Sequence, residues 1–280
     1  MNKKLLFQII QVILTIALVC FIVLKAEEFF SHVDWSLVAQ NWLYVVLSGV
    51  FFLTGYMFMA KHWQLVCGLI QPKGNKKQWL AYFASQPYKY LPTSFFTFSF
   101  RAVYAKKLGM DIKKSSEAQL IENANLIGSA LGLGMLLVVF LTNILAGLAI
   151  TVAIGALCYV MWRYHFVHIP KTRIKLNLRH WLKTVTVVTT GWVVMGLGFS
   201  MIGFALEAKP DIFVGIAANS LATGFGILAV FAPGGIGIRE LVFSFFLYAS
   251  TTILIWRLTT FTIDILAGVW SIWFISRSRK

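Results

Sequence analysis

Ala232-Pro233-Gly234-Gly235-Ile236-Gly237-Ile238-Arg239-Glu240 interrupts what would otherwise be a continuous apolar run from Ile212 to Trp256. A proline and three glycines this close together break a helix, because proline lacks a donor and glycine leaves its backbone unrestrained. Broken backbone at membrane depth is tolerated only where protein buries it or where it lines a wet cavity. Arg239 and Glu240 follow at once, where a new helix should begin. Charged side chains inside an apolar segment are costly and by default face the interior and serve function. The stretch is therefore the expected working centre.

Working outward, the chain has 280 residues, 59% hydrophobic and 12% charged. Apolar runs of about 20 residues recur, the length that spans ~30 Å of hydrocarbon. The expected fold class is an all-α polytopic membrane protein forming one integral domain over 1–280. The net charge of +15 comes from 25 Lys and Arg against 10 Asp and Glu. The bases cluster between spans, as the positive-inside rule describes, so the charge sets topology, with a secondary attraction for anionic lipid. The basic loops are short and carry no recognition motif, so no nucleic-acid partner is expected. Cys20, Cys67 and Cys158 lie in apolar runs without paired spacing and read as unpaired thiols. The histidines of the 163–183 loop have no accompanying ligand set, and no metal or cofactor is expected.

Along the chain, Leu5–Leu24 reads as an uncleaved first span with a cytoplasmic N-terminus, since it is too long for a signal peptide and lacks a cleavage site. A second span starts at Trp42 and ends between Ala60 and Ile70. Over Trp79–Phe100, Gln86-Pro87-Tyr88-Lys89-Tyr90-Leu91-Pro92-Thr93 breaks an aromatic run. Basic loops on both sides make this a re-entrant hairpin. Further spans are read at Ser116–Phe140, Ile144–Met161, Thr184–Leu206 and from Ile212 to the second break, and then at Leu241–Trp256 and Leu258–Ile275. The expectation is about eight crossings plus one hairpin, with both termini cytoplasmic in the inner cell membrane. The alternative is seven crossings with two hairpins. Gly128 and Gly132 are spaced for close helix packing. Pro92 and Pro233 lie 141 positions apart, and Glu122 and Asp264 lie 142 apart. That spacing suggests a weak internal repeat of about 1–140 and 141–280, and matched breaks in two halves point to a transporter's site.

The charged residues admit paired readings. Arg239 and the amides of the half-helix after the break suit a phosphate oxygen; an interfacial Arg with Glu240 as a cap is the plainer reading. Glu240 pairs with Arg239 or with Arg257. Glu122, beside Asn123 and Asn125, marks either a polar interior face or a helix end. Arg257 and Asp264 share one helical face, as a structural pair across helices or as part of a pathway. Lys89, between two tyrosines, reaches an anionic headgroup or anchors the interface. The Walker loop, His-Glu-x-x-His and Gly-x-Ser-x-Gly are absent from the sequence, so an enzyme is not the leading expectation.

With these residues in hand, the chain resembles the flippase-like membrane family that includes the transmembrane domain of lysylphosphatidylglycerol synthase. The segment from Ala232 to Glu240 resembles that family's Pro-Gly-Gly-Leu-Gly-hydrophobic-Arg-Glu signature. Tyr88-Lys89-Tyr90-Leu91-Pro92, with Arg101 and Leu108-Gly109 beyond, resembles its first broken motif. Glu122 and Arg257 fall where the family carries an acid and a base, while Thr93 stands where it commonly has glycine. The resemblance implies translocation, across the cytoplasmic membrane, of a lipid with a charged or glycosylated headgroup. Full-length synthases append a soluble transferase domain, and this chain stops soon after Asp264, so lysyl transfer by it is not expected.

Sequence and resemblance together give a headgroup site of Lys89, Tyr90, Pro92, Arg101, Glu122, Asn125, Pro233, Gly234, Gly235, Gly237, Arg239, Glu240, Arg257 and Asp264. Its expected partners are membrane lipids that are anionic, aminoacylated or polyprenyl-linked, with an oligomer or a separate lipid-synthesising enzyme as further partners. The alternatives are a membrane-embedded enzyme acting on a lipid phosphate or lipid-linked sugar, and an assembly partner of a membrane enzyme.

Overall fold

A computed structural model of the chain describes residues 34–72, 77–91, 95–163, 178–206, 211–229 and 232–277. The first expected span, Pro92, Thr93 and most of the 163–183 loop lie outside the described residues. The elements are α1 (Trp35–Gln40), α2 (Trp42–Ile70), α3 (Trp79–Ser85), a 3-10 turn (Gln86–Tyr90), α4 (Phe95–Lys107), α5 (Ile112–Thr142), α6 (Ile144–Arg163), α7 (Leu178–Leu206), α8 (Ile212–Leu228), a second 3-10 turn (Pro233–Gly235), α9 (Ile238–Phe245) and α10 (Ser250–Arg277). All are helical. Among the described residues, α2, α5, α7 and α10 are long and apolar enough to cross a membrane.

Aspartates set three helix starts. Asp34, Asp111 and Asp211 each accept two backbone N–H bonds from the first turn that follows, which satisfies donors that a helix leaves open. The Ser36 hydroxyl, then the Leu37 amide, hold the exposed Asp34 carboxyl below its ordinary range. The Asp111 cap starts α5 at Ile112, one turn before the expected Ser116.

Antiparallel α2 and α7 form the central pair, with Gly55 against Met195 and Gly198 against Phe51. α8 packs on α7 and on α5. A Cβ on Gly196 would lie 2.6 Å from Ile216 Cα, backbone that cannot swing aside. Gly196→Ala is therefore expected to destabilise the bundle by about 1–3 kcal/mol, as overpacking does; detergent unfolding of the variant measures it. Among the described residues, Gly128 and Gly132 play no such role. A Cβ at either would meet nothing within 4 Å, and it is Gly134 that sits against Leu221 and the Ala217 carbonyl.

Both broken segments are helical hairpins. α3 and α4 pack together around the first 3-10 turn, and α8 and α9 pack together around the second. The second hairpin corrects one expectation. Leu241–Trp256 is no separate span, because α9 ends at Phe245, the chain turns at Leu247 with φ 59°, and α10 runs unbroken through Arg257. At 1.5 Å per residue α9 covers about 12 Å, far short of the hydrocarbon core.

The hairpins lie along opposite halves of α10. Trp79 stacks with Trp270 at 6.0 Å, and Pro87 abuts Gly268. Toward the other end, Phe243 of α9 meets Trp256 at 5.0 Å and stacks on Phe199 at 4.6 Å. Their tips touch: a Cβ on Gly234 would sit 3.5 Å from the Tyr90 ring.

Candidate functional site

A cavity of about 270 Å³ lies where the two tips meet, lined also by α2, α4, α5, α7, α8 and α10. By liquid volume it has room for roughly nine waters. Its polar lining includes Tyr56, Lys89, Arg101, Asn123, Thr223 and Arg239.

Among the described residues, three ion pairs lie near this space, each fastening part of a hairpin to a long helix. Lys89, on the first tip, lies 2.5 Å from Asp264 of α10, and its amine also donates to the Tyr56 hydroxyl at 3.3 Å. Tyr90 donates to the same Asp264 oxygen at 2.7 Å. Asp264 is 1% exposed, so both contacts serve to hold a carboxylate that burial would otherwise penalise. Arg101 pairs with the fully buried Glu122, donates to Ser85 at 2.9 Å, and lies over the rings of Trp63 and Tyr82. The sequence placed Arg101 after the hairpin at the start of a loop, but it sits within α4 and is 6% exposed.

The third pair supports the broken backbone. Arg257 donates to Glu240 at 2.6 Å, to the Gly234 carbonyl at 3.2 Å and to the Gly235 carbonyl at 3.4 Å. Glu240 also accepts from the Gly237 amide at 2.7 Å, closing the start of α9. A helix break exposes backbone groups that hydrocarbon cannot satisfy, and this pair supplies partners on both sides of it. Gly234, Gly235 and Gly237 have φ of 58°, 70° and 87°, a region open to glycine and strained for other residues. Of the two partners open to Glu240, the structure selects Arg257. Arg257 and Asp264, though on one helix, serve different tips.

Arg239 differs from the other bases. Its stem passes between Gly226 and Gly235, where a Cβ would approach its Nε to 2.4 and 2.8 Å respectively. The guanidinium lies over the Trp256 ring at 5.7 Å, and Nε has no hydrogen-bond partner. Lys89, Arg101 and Arg239 are the basic residues lining the cavity among the described residues. Lys89 and Arg101 are paired with carboxylates, while Arg239 has none among the described residues.

The expected site residues thus separate. Lys89, Tyr90, Arg101, Gly234, Gly235, Arg239, Glu240, Arg257 and Asp264 gather at the tips, with Glu122 behind Arg101. For Pro233 only the backbone is described, within the second turn. Asn125 turns elsewhere, its amide 3.3 Å from His62 Nε2, and Asn123 lines the cavity in its place. Sequence reasoning missed Tyr56, Thr223 and Trp256, which carry no signal in apolar helices beyond being the polar or aromatic members of a run. Searches against protein-family models and curated proteins find no match for this chain.

Proposed function

We propose that this protein moves a lipid with an anionic, polar headgroup between membrane leaflets, holding the headgroup between the two hairpin tips. The observation that carries the reading is Arg239, a cation lining the cavity that forms no ion pair with a carboxylate among the described residues. Arg239 is partly buried, and a charge drawn out of water without a counter-ion is costly, so an anionic ligand that neutralises it binds with that cost relieved. A phosphate oxygen suits a guanidinium in geometry as well as charge. The lipid's tails stay in the bilayer, so only the headgroup needs a polar route. The resemblance of Ala232–Glu240 to the flippase-like family supports the same reading, and aminoacylated, simple anionic and polyprenyl-linked phospholipids are the candidate cargoes.

In this reading α2, α5, α6, α7 and α10 cross the cytoplasmic membrane, and Leu5–Leu24 is taken from its sequence as a further crossing. Two hairpins enter from opposite sides. Six crossings then replace the expected eight and keep both termini cytoplasmic. The order α2, hairpin, α5 recurs as α7, hairpin, α10 with opposite orientation, the inverted-repeat plan of transporters whose sites lie at the midplane.

The test is a leaflet-exchange assay in proteoliposomes with fluorescent phosphatidylglycerol, lysylphosphatidylglycerol and polyprenyl phosphate. Hydrogen bonds to a charged group contribute about 1.5–3 kcal/mol. Arg239→Gln is thus expected to slow movement of the preferred lipid by roughly ten- to a hundredfold. Exchange by the wild type no faster than in empty liposomes, for all three lipids, would sink the reading; equal rates for wild type and variant would remove Arg239 from it.

A further inference from the structure

α8 carries three buried polar residues whose side chains have no hydrogen-bond partner among the described residues. Asn219 is fully buried, and neither its amide nitrogen nor its amide oxygen has a hydrogen bond. The hydroxyls of Ser220, also fully buried, and of Thr223, 6% exposed, are equally unpartnered. Burying a primary amide with both ends unsatisfied is unfavourable anywhere, and more so in a helix surrounded by apolar packing. An alanine or leucine would suit such a position better if the packing seen here were the helix's only state.

The placement of these groups follows the helix period. Asn219, Thr223, Gly226 and Ile227 share one face at i, i+4, i+7 and i+8, and the last three line the cavity. Asn219 therefore stands one turn, about 5.4 Å, beyond the cavity wall. One further turn along lies Gly215, and the space a side chain would take there is filled by Ser200, whose Oγ is 2.2 Å from the position of a Cβ. The Ser200 hydroxyl bonds to the Gly196 and Ile212 carbonyls at 3.0 and 3.3 Å, tying α7 to the first turn of α8. A row of polar and small residues thus leads from the cavity to the Ile212 end of α8 and stops at a seam between α7 and α8.

We infer that this row is the cavity's route to the membrane face at the Ile212 end of α8, shut in this structure by the α7–α8 seam and wet when the seam parts. Asn219 is its central polar subsite. A primary amide offers two donors and an acceptor without charge, so it suits water and the neutral hydroxyl or carbonyl groups of a headgroup rather than its phosphate. The cargo rests on the lipid reading above; the wet route itself does not.

Single-cysteine variants Asn219→Cys, Thr223→Cys and Ala217→Cys, made with the three native cysteines changed to serine, test the route. Ala217 is fully buried on the opposite face of α8. The variants are reconstituted in phosphatidylglycerol–phosphatidylethanolamine liposomes and exposed, from each side, to the impermeant anionic reagent methanethiosulfonate ethylsulfonate. Expected is labelling of Asn219→Cys and Thr223→Cys at least tenfold faster than Ala217→Cys, with Asn219→Cys reached from the Ile212 side. Labelling of Asn219→Cys from the Ile212 side no faster than Ala217→Cys overturns the inference; if that variant does not fold, the same comparison with Thr223→Cys from the Ile212 side decides. Labelling with no lipid exchange in any liposome would keep the route and remove the lipid cargo. Lipid exchange with both cysteines unlabelled would do the reverse.

Discussion

Glu122→Leu is expected to cost the bundle about 3–5 kcal/mol, the range for removing one partner of a buried ion pair. Arg101 would be left 6% exposed, with Ser85 and two aromatic faces but no counter-charge. The aromatic contacts soften the loss without cancelling it, since each cation–π contact contributes only about 0.5–2 kcal/mol. A second substitution separates charge from packing. Arg101→Met with Glu122→Leu removes both ions and is expected to recover most of the stability, because well-packed apolar replacements of buried pairs are often neutral. Unfolding in detergent, followed by far-ultraviolet circular dichroism, gives both values. A single variant as stable as the wild type would show that Glu122 is not charged against Arg101 in the folded protein.

Gly226→Val is expected to abolish Arg239-dependent ligand binding while leaving the helices intact. Its first side-chain carbon would fall 2.4 Å from Arg239 Nε and 2.7 Å from Cγ, well inside van der Waals contact. The flexible Arg side chain yields before the backbone does, so it is the guanidinium that moves. Its position over Trp256, which aims it at the cavity, is lost. The expected result is a fall in lipid exchange similar to that of Arg239→Gln, roughly ten- to a hundredfold, with an unfolding midpoint close to the wild type. An unchanged exchange rate would mean that Arg239 can work from another position. A collapsed fold would mean that the α8–α9 approach, rather than the charge, sets the need for glycine.

The Pro-Gly-Gly break and the tyrosine-lysine segment could be read directly, because backbone chemistry there overrides hydrophobic pattern. Helix starts were nearly as legible: Asp211 before Ile212 marks a boundary that the structure keeps. Arg257 misled. A base within an apolar run looks like a boundary between two spans, yet α10 continues through it because its charge is absorbed by Glu240 and two backbone carbonyls. Those partners are 17 to 23 positions away, beyond any local pattern. The same limit applies to glycine. Spacing brought Gly128 and Gly132 forward, but which face of a helix meets a neighbour is a tertiary fact, and it favoured Gly134 and Gly224. Of the acids and bases at the tips, sequence named every member and could assign few of the pairs.

Two of the three pairs also have a mechanical meaning. Arg257 and Asp264 are seven residues apart on one unbroken helix, so their separation along the axis is fixed at about 10 Å. Each grips the tip of a different hairpin, and the hairpins come from opposite ends of the rod. Sliding α10 along its axis by a helical turn cannot suit both grips at once; a shift that carries one acid–base contact with its tip must drag or part the other. The two tips are in this sense geared together through α10, and neither is free to loosen without the rod reporting it to its counterpart.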